Sequence, residues 1–168
     1  MRRRRAEARL RANARPGQVL FMCYGNICRS PFAEFVFHRE MRHLQPGLYE
    51  TTSAGFIGPN RKSPGEALAA AQRAGIDLSG HRSKLVTAEL VHGSALVVVM
   101  SAEQARGIRA MFGPTSATVL VLGDLDPLPI DARTIRDPWS ATADVFDASY
   151  ARIERCVRVL VSYMTVPA

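Results

Sequence analysis

Hydrophobic positions along the chain alternate between two rhythms. Val19-Leu20-Phe21-Met22, Ala95-Leu96-Val97-Val98-Val99-Met100 and Thr118 to Leu122 are short apolar runs rich in β-branched residues. This is the pattern of strands covered on both faces. Tyr49 to Ala54, ending at Gly55, reads as a further strand. Between these runs the spacing becomes helical. Phe32, Phe35, Val36 and Met41 share one face, with Ser30 available as N-cap and Pro31 at the first helical position. Glu66 to Ala74 predicts an alanine-rich helix closed by Gly75, and Ser101 opens another that reaches Met111. Ile153, Val157, Leu160 and Val161 mark a long closing helix over Val145 to Met164. Strands alternating with helices predict a three-layer α/β/α domain around a four-stranded parallel sheet. Such sheets bind ligands beyond the carboxyl ends of their strands, and the loop after the first strand begins at Cys23.

The 168 residues, 47% of them hydrophobic, are enough for one domain with a proper core. Three cysteines, no secretory signal and no apolar run near the roughly 18 residues of a membrane span point to free thiols in a reducing, cytoplasmic setting. No cysteine or histidine stands at metal-ligand spacing beyond the Cys23/Cys28 pair, so no metal or cofactor is expected. Charge changes the picture only at one end. Residues 1 to 16 hold seven arginines and one glutamate, six of the seven net positive charges of the chain. The expectation is therefore a basic, disordered or loosely helical arm over residues 1–16, followed by one domain over 17–168. The arm reads as a solvated tail or as a contact for anionic lipid or an acidic partner. Nucleic acid is not an expected partner, because no recognisable module or interleaved aromatics accompany the arginines.

The candidate chemistry lies in Cys23-Tyr24-Gly25-Asn26-Ile27-Cys28-Arg29-Ser30-Pro31. A tight loop between a strand and a helix turns several backbone N–H groups inward, and with the helix dipole they make a site for an anion of phosphate size. The amides of Tyr24, Gly25, Asn26, Ile27, Cys28 and Ser30 are the candidate donors. The same field favours the thiolate of Cys23, the candidate nucleophile. The planar fork of Arg29 can hold two phosphate oxygens and the charge they carry in the transition state. Ser30 can donate its hydroxyl to the sulfur. A proton donor for the leaving group must come from elsewhere, and Arg136-Asp137-Pro138-Trp139 offers a carboxylate stiffened by proline, with an aromatic ring to wall a pocket. Asp-Pro alone is weak evidence, and Asp126-Pro127 reads as an ordinary turn.

These residues resemble the low molecular weight protein tyrosine phosphatases over residues 18 to 164. The likeness rests on Cys23 to Pro31 after an apolar strand, Thr52-Ser53-Ala54-Gly55, Ala74-Gly75-Ile76-Asp77 followed by His81 and Arg82, Val99-Met100, and Asp137-Pro138. The resemblance implies that Cys23 is the nucleophile, Arg29 the phosphate ligand and Asp137 the general acid and later base. It also implies a buried network of Asn26, Ser53 and His81 that supports the loop. Composition rich in alanine and arginine reads as bacterial, and bacterial relatives act on autophosphorylating tyrosine kinases. The implied partner is thus a phosphotyrosine protein of that kind. Two departures bear on the substrate. Trp139-Ser140 replaces the usual aromatic pair after Asp-Pro, and Tyr24 replaces an aliphatic residue after the nucleophile. Cys28 reads either as a redox partner of Cys23 or as a packed thiol, and Cys156 as a core residue of the closing helix. Rival activities on this fold are arsenate reduction, which needs a downstream cysteine pair that this chain lacks, phosphoarginine hydrolysis, which the resemblance associates with threonine at the Ile27 position, and phosphotyrosine binding without catalysis, in relatives that have lost nucleophile or acid.

Overall fold

A computed structural model describes residues 2–13 and 15–165. The elements in chain order are α1 (Arg2–Asn13), β1 (Gly17–Cys23), α2 (Arg29–Leu44), β2 (Tyr49–Gly55), α3 (Gly65–Arg73), α4 (Ala88–Gly93), β3 (Ser94–Val99), α5 (Ala102–Phe112), β4 (Thr118–Val121), a 3₁₀ turn (Leu122–Leu125) and α6 (Ala143–Met164). The four strands form one parallel sheet in the order β2-β1-β3-β4. Placing β1 at the centre sends the chain to β2 on one side and then across to β3 and β4 on the other. Such a reversal of strand order opens a crevice at the carboxyl ends of the strands.

Period-two alternation sorts the apolar strand residues between two cores. Val19, Phe21 and Cys23 of β1, with Leu96 and Val98 of β3, face α2 and α6, where Phe32, Phe37, Ile153, Val157 and Leu160 meet them. Leu20, Met22, Val97, Val99, Val119 and Val121 face the opposite side and pack with Val91 of α4 and Ile108 of α5. The sheet is therefore covered on both faces, and the three-layer expectation is met. Cys23, the last residue of β1, stands on the α2/α6 side at the carboxyl edge.

Capping follows the expected chemistry in some helices. The Ser101 hydroxyl accepts from the Gln104 N–H at 3.2 Å, and Gly75 follows α3 with φ 74°, a left-handed conformation that glycine adopts without a Cβ clash. Helix α2 differs. It begins at Arg29, with Cys28 in the capping position and no side-chain cap. Ser30 thus lies inside the first turn, where its hydroxyl is committed to the loop. Helix α4 has no strong apolar period of its own and was not anticipated.

The arginine-rich arm takes the helical form of the two expected, and packs against the domain. Residues 1 and 14 lie outside the described residues, but Arg2–Asn13 is a helix whose Ala6 and Leu10, at i,i+4 spacing, are buried in the α2/α6 core. The arginines line its exposed sides. Arg2 donates to the Asp131 carbonyl at 2.7 Å, Arg3 pairs with Glu7 at 2.6 Å, and the Arg11 guanidinium lies 4.8 Å from the Tyr163 ring centre. Two small apolar contacts and long arginine stems are enough to dock the helix. Among the described residues no helix is long and apolar enough to cross a membrane.

Candidate active site

The loop from Cys23 to Ser30 is built around its own sulfur. Cys23 Sγ lies 3.1 Å from Ser30 Oγ and accepts from the Asn26 N–H at 3.2 Å. Asn26 Nδ2 donates to Ser30 Oγ at 2.9 Å, so the serine proton is left to point at the sulfur. Asn26 is fully buried with φ 52°, a left-handed conformation that asparagine tolerates better than most residues. Three contacts hold it there. Its Oδ1 accepts from the Lys84 N–H at 2.8 Å, its carbonyl accepts from His81 Nε2 at 2.7 Å, and its amide nitrogen faces Cys23. Gly55 must be glycine for this packing, since a Cβ there would stand 2.8 Å from both the Asn26 nitrogen and the Tyr24 oxygen.

The expected network of Asn26, Ser53 and His81 is thus brought together in two of its three members. Ser53 is buried at the pairing position opposite Phe21, but its hydroxyl has no hydrogen-bond partner among the described residues. Ser30 and the Lys84 N–H take up the Asn26 side chain instead. Burial pushes the His81 imidazole below its ordinary proton affinity despite the Asn26 carbonyl, so the ring is neutral with Nε2 as donor.

Arg29 lies in the first turn of α2 and is 4% exposed. Its Nη1 donates to the Ile135 carbonyl at 3.0 Å, and its Nη2 donates to the Asp137 carboxylate. Its Nε is buried with no partner among the described residues. A buried guanidinium donor without an acceptor is costly unless a ligand takes it, and an oxyanion is the natural acceptor. Asp137, by contrast, is 45% exposed. The Ile135 N–H donates to the Met100 carbonyl at 3.0 Å and Ser149 Oγ to the Arg136 carbonyl at 2.8 Å, and together they fix the backbone that carries Asp137 to the sheet edge.

Asp126 proves to be more than an ordinary turn. Its side chain is 2% exposed and pairs with Arg152 and Arg155, each at 2.8 Å. Burial pushes the carboxyl up, but hydrogen bonds from Arg155, the Leu128 N–H and Arg152 together hold it below the ordinary carboxylate range. Arg152 also donates to the carbonyls of Thr134, at 2.9 Å, and Ala132, at 2.5 Å. Two ion pairs on one buried carboxylate therefore tie the start of the acid-bearing segment to α6.

Cys23, Tyr24, Gly25, Ile27, Cys28, Ile57, Arg61, Asp137 and Trp139 surround a pocket of about 150 Å³, a volume of the order that admits one benzene ring. Tyr24 and Trp139, 55% and 63% exposed, form its rim. Ile57 and Arg61 were not anticipated. Both come from the polar loop after β2, which carries no local motif. Cys28 is buried, and burial first, then the neighbouring Cys23 and Asp137, push its thiol up to about 12. Cys156 is raised to about 12 as well, chiefly by burial in α6. It is the core thiol its helical position implied.

Known proteins resemble this chain in sequence and in fold. The family model described as "Low molecular weight phosphotyrosine protein phosphatase" matches residues 18–166. The "Probable low molecular weight protein-tyrosine-phosphatase EpsP" of Ralstonia solanacearum is 35% identical, covering 83% of this chain and 90% of that protein. The low molecular weight protein-tyrosine-phosphatase Etp of Escherichia coli K12 is 32% identical over 82% and 87%. A protein-arginine-phosphatase of Bacillus subtilis matches at 29% over 84% and 93%. Among solved structures, the low molecular weight protein tyrosine phosphatase of T. tengcongensis superposes with a TM-score of 0.77 at 26% identity, covering 86% of this chain and 97% of its own. With the loop, the sheet order and the family match in agreement, the chain belongs to the low molecular weight phosphotyrosine protein phosphatases.

Proposed function

We propose that this chain hydrolyses phosphotyrosine in proteins through a cysteinyl phosphate, with Cys23 as nucleophile, Arg29 as phosphate ligand and Asp137 as acid and base. In the first step Cys23 Sγ bonds to phosphorus, the bond from phosphorus to the phenolic oxygen breaks, and Asp137 gives its proton to the departing phenolate. In the second step a water oxygen attacks phosphorus, its proton passes to Asp137, and the sulfur–phosphorus bond breaks to return the thiolate and release phosphate. The Ser30 hydroxyl and the Asn26 N–H stabilise that thiolate as it leaves. An incoming phosphate dianion competes with the Asp137 carboxylate for Arg29.

The observation that carries this reading is one ring-sized pocket lined by both Cys23 and Asp137, the sulfur held at 3.1 and 3.2 Å by Ser30 and the Asn26 N–H and the exposed carboxylate paired with the buried Arg29 guanidinium. Phosphotyrosine is favoured over phosphoarginine because Ile27, Ile57, Tyr24 and Trp139 offer apolar and aromatic surface to an aryl ring. The family resemblance makes a bacterial tyrosine kinase or its targets the proposed protein substrate. The test is turnover of p-nitrophenyl phosphate, a phosphotyrosine peptide and phosphoarginine by wild type, Cys23→Ser and Asp137→Ala. Aryl turnover that disappears in Cys23→Ser supports the reading. Faster turnover of phosphoarginine would replace the substrate, and tight phosphotyrosine binding without turnover would replace the enzyme by a binding module.

A further inference from the structure

Three successive carbonyls of the phosphate loop are held from outside. That of Tyr24 accepts from the N–H groups of Phe56 and Ile57 at 2.8 and 3.3 Å. That of Gly25 accepts from Arg61 Nη2 at 2.8 Å, and that of Asn26 from His81 Nε2 at 2.7 Å. A trans peptide is planar, so its carbonyl and the N–H of the following residue point in opposite directions. Each outward carbonyl therefore turns the next N–H inward. For the middle peptide the consequence is visible, because the Asn26 N–H meets Cys23 Sγ at 3.2 Å.

The anchor of that middle peptide is a side chain. Arg61 Nε donates to the Gly58 carbonyl at 3.0 Å and Nη2 also reaches the Ile57 carbonyl at 3.2 Å. Its backbone is pinned on both sides to Ser83, which accepts the Arg61 N–H at Oγ at 2.9 Å and gives its own N–H to the Arg61 carbonyl at 2.9 Å. The guanidinium lies so close to the loop that a Cβ on Gly25 would stand 2.8 Å from Nη2. All the acceptors seen for it are carbonyls, and no carboxylate within ion-pair distance neutralises it among the described residues.

We infer that Arg61 is a positioning residue for the reaction: by holding the Gly25 carbonyl outward, it aims the Asn26 N–H at the Cys23 sulfur. The inference rests on Cys23 being the nucleophile. It separates Arg61 from a simple staple of the loop after β2, which would affect stability and leave the sulfur untouched. It also separates Arg61 from a plain source of positive charge. Lysine keeps the charge but presents a single ammonium in place of a fork that spans three carbonyls. Cys23 lines the pocket beside Tyr24, Cys28, Arg61 and Asp137 and interacts electrostatically with Tyr150, and substituting Arg61 alters one of these groups alone.

The test compares wild type, Arg61→Gln and Arg61→Lys by the Asn26 amide resonance in ¹⁵N-labelled protein and by the rate at which neutral iodoacetamide alkylates Cys23 at pH 6. Loss of one hydrogen bond to the sulfur slows alkylation on the order of tenfold, and the Asn26 amide proton moves upfield in both variants. Unchanged resonance and rate in Arg61→Gln, or restoration of both by lysine, would overturn the inference. Should Arg61→Gln fail to fold, Arg61→Met keeps the stem and removes the guanidinium, and an unchanged Asn26 resonance there overturns it equally. These readouts stay distinct from the catalytic assignment. Full phosphatase turnover by Cys23→Ser would remove the nucleophile, while the Asn26 resonance would still report on the Arg61 anchor.

Discussion

The loop that cradles the anion and the segment that brings the acid are built on opposite terms. Around Cys23 most polar groups are buried and paired, the Arg29 Nε excepted: Asn26 and Ser30 are fully enclosed, and outward carbonyls are tied down by Arg61 and His81. The acid segment is anchored at its root, by Asp126 against Arg152 and Arg155 and by Ile135 against Met100, but its working end is open, with Asp137 and Trp139 at the surface. Preorganised donors serve the charge that develops on phosphorus, where rearrangement during reaction would cost most. A proton donor must instead admit a bulky protein substrate and later a water, and exposure serves both.

Substitutions on the two sides should therefore separate binding from turnover. Asp137→Asn lowers kcat on a phosphotyrosine peptide by roughly 10²- to 10⁴-fold while inhibition by inorganic phosphate is kept, as steady-state kinetics with phosphate as competitor will show. Arg29→Lys costs about 10²- to 10³-fold in kcat and also weakens phosphate inhibition, because the fork is lost. Equal effects of the two variants on phosphate inhibition would erase the distinction drawn here. Arg152→Met leaves Asp126 with Arg155 alone and strands the carbonyls of Ala132 and Thr134. It should destabilise the protein by about 2 to 3 kcal/mol in denaturant unfolding, with a fall in kcat and little change in phosphate inhibition.

The smallest expected effect is that of pH on His81. Its folded proton affinity lies below the ordinary imidazole value because of burial, so the neutral ring is the form the fold prefers. That contribution is fully present above about pH 6.5 and is lost as pH falls from there through the lower folded value. Thermal melting of wild type should decline across this interval more steeply than that of His81→Gln, which retains a donor for the Asn26 carbonyl. Parallel curves would show that His81 is not the group responsible.

What was legible in the sequence is what local chemistry dictates. Cys23 to Pro31 carries its role in the spacing of sulfur, glycine and arginine between a strand and a helix, and the four strands are visible as short apolar or β-branched runs. Asp137 could be read only with the family resemblance beside it, since Asp126-Pro127 has the same local form and does a different job, as a buried partner of two arginines. The N-terminal helix was obscured by composition. Seven arginines suggest solvation, yet Ala6 and Leu10 at one helical spacing suffice to dock it. Arg61 was illegible because its function depends on which carbonyls the loop after β2 brings beside it, a matter of tertiary contact alone. The hold on the Asn26 side chain by Ser30 and the Lys84 N–H was equally illegible, since it too depends on tertiary contact.

The most direct test of the account is to quench the enzyme in acid during turnover of p-nitrophenyl phosphate and map the phosphoryl group by mass spectrometry, using Asp137→Ala to slow hydrolysis of the intermediate. One phosphoryl group is expected on the peptide that carries Cys23, and none in Cys23→Ser. Turnover at the wild-type rate with no phosphoryl group on Cys23 would contradict it.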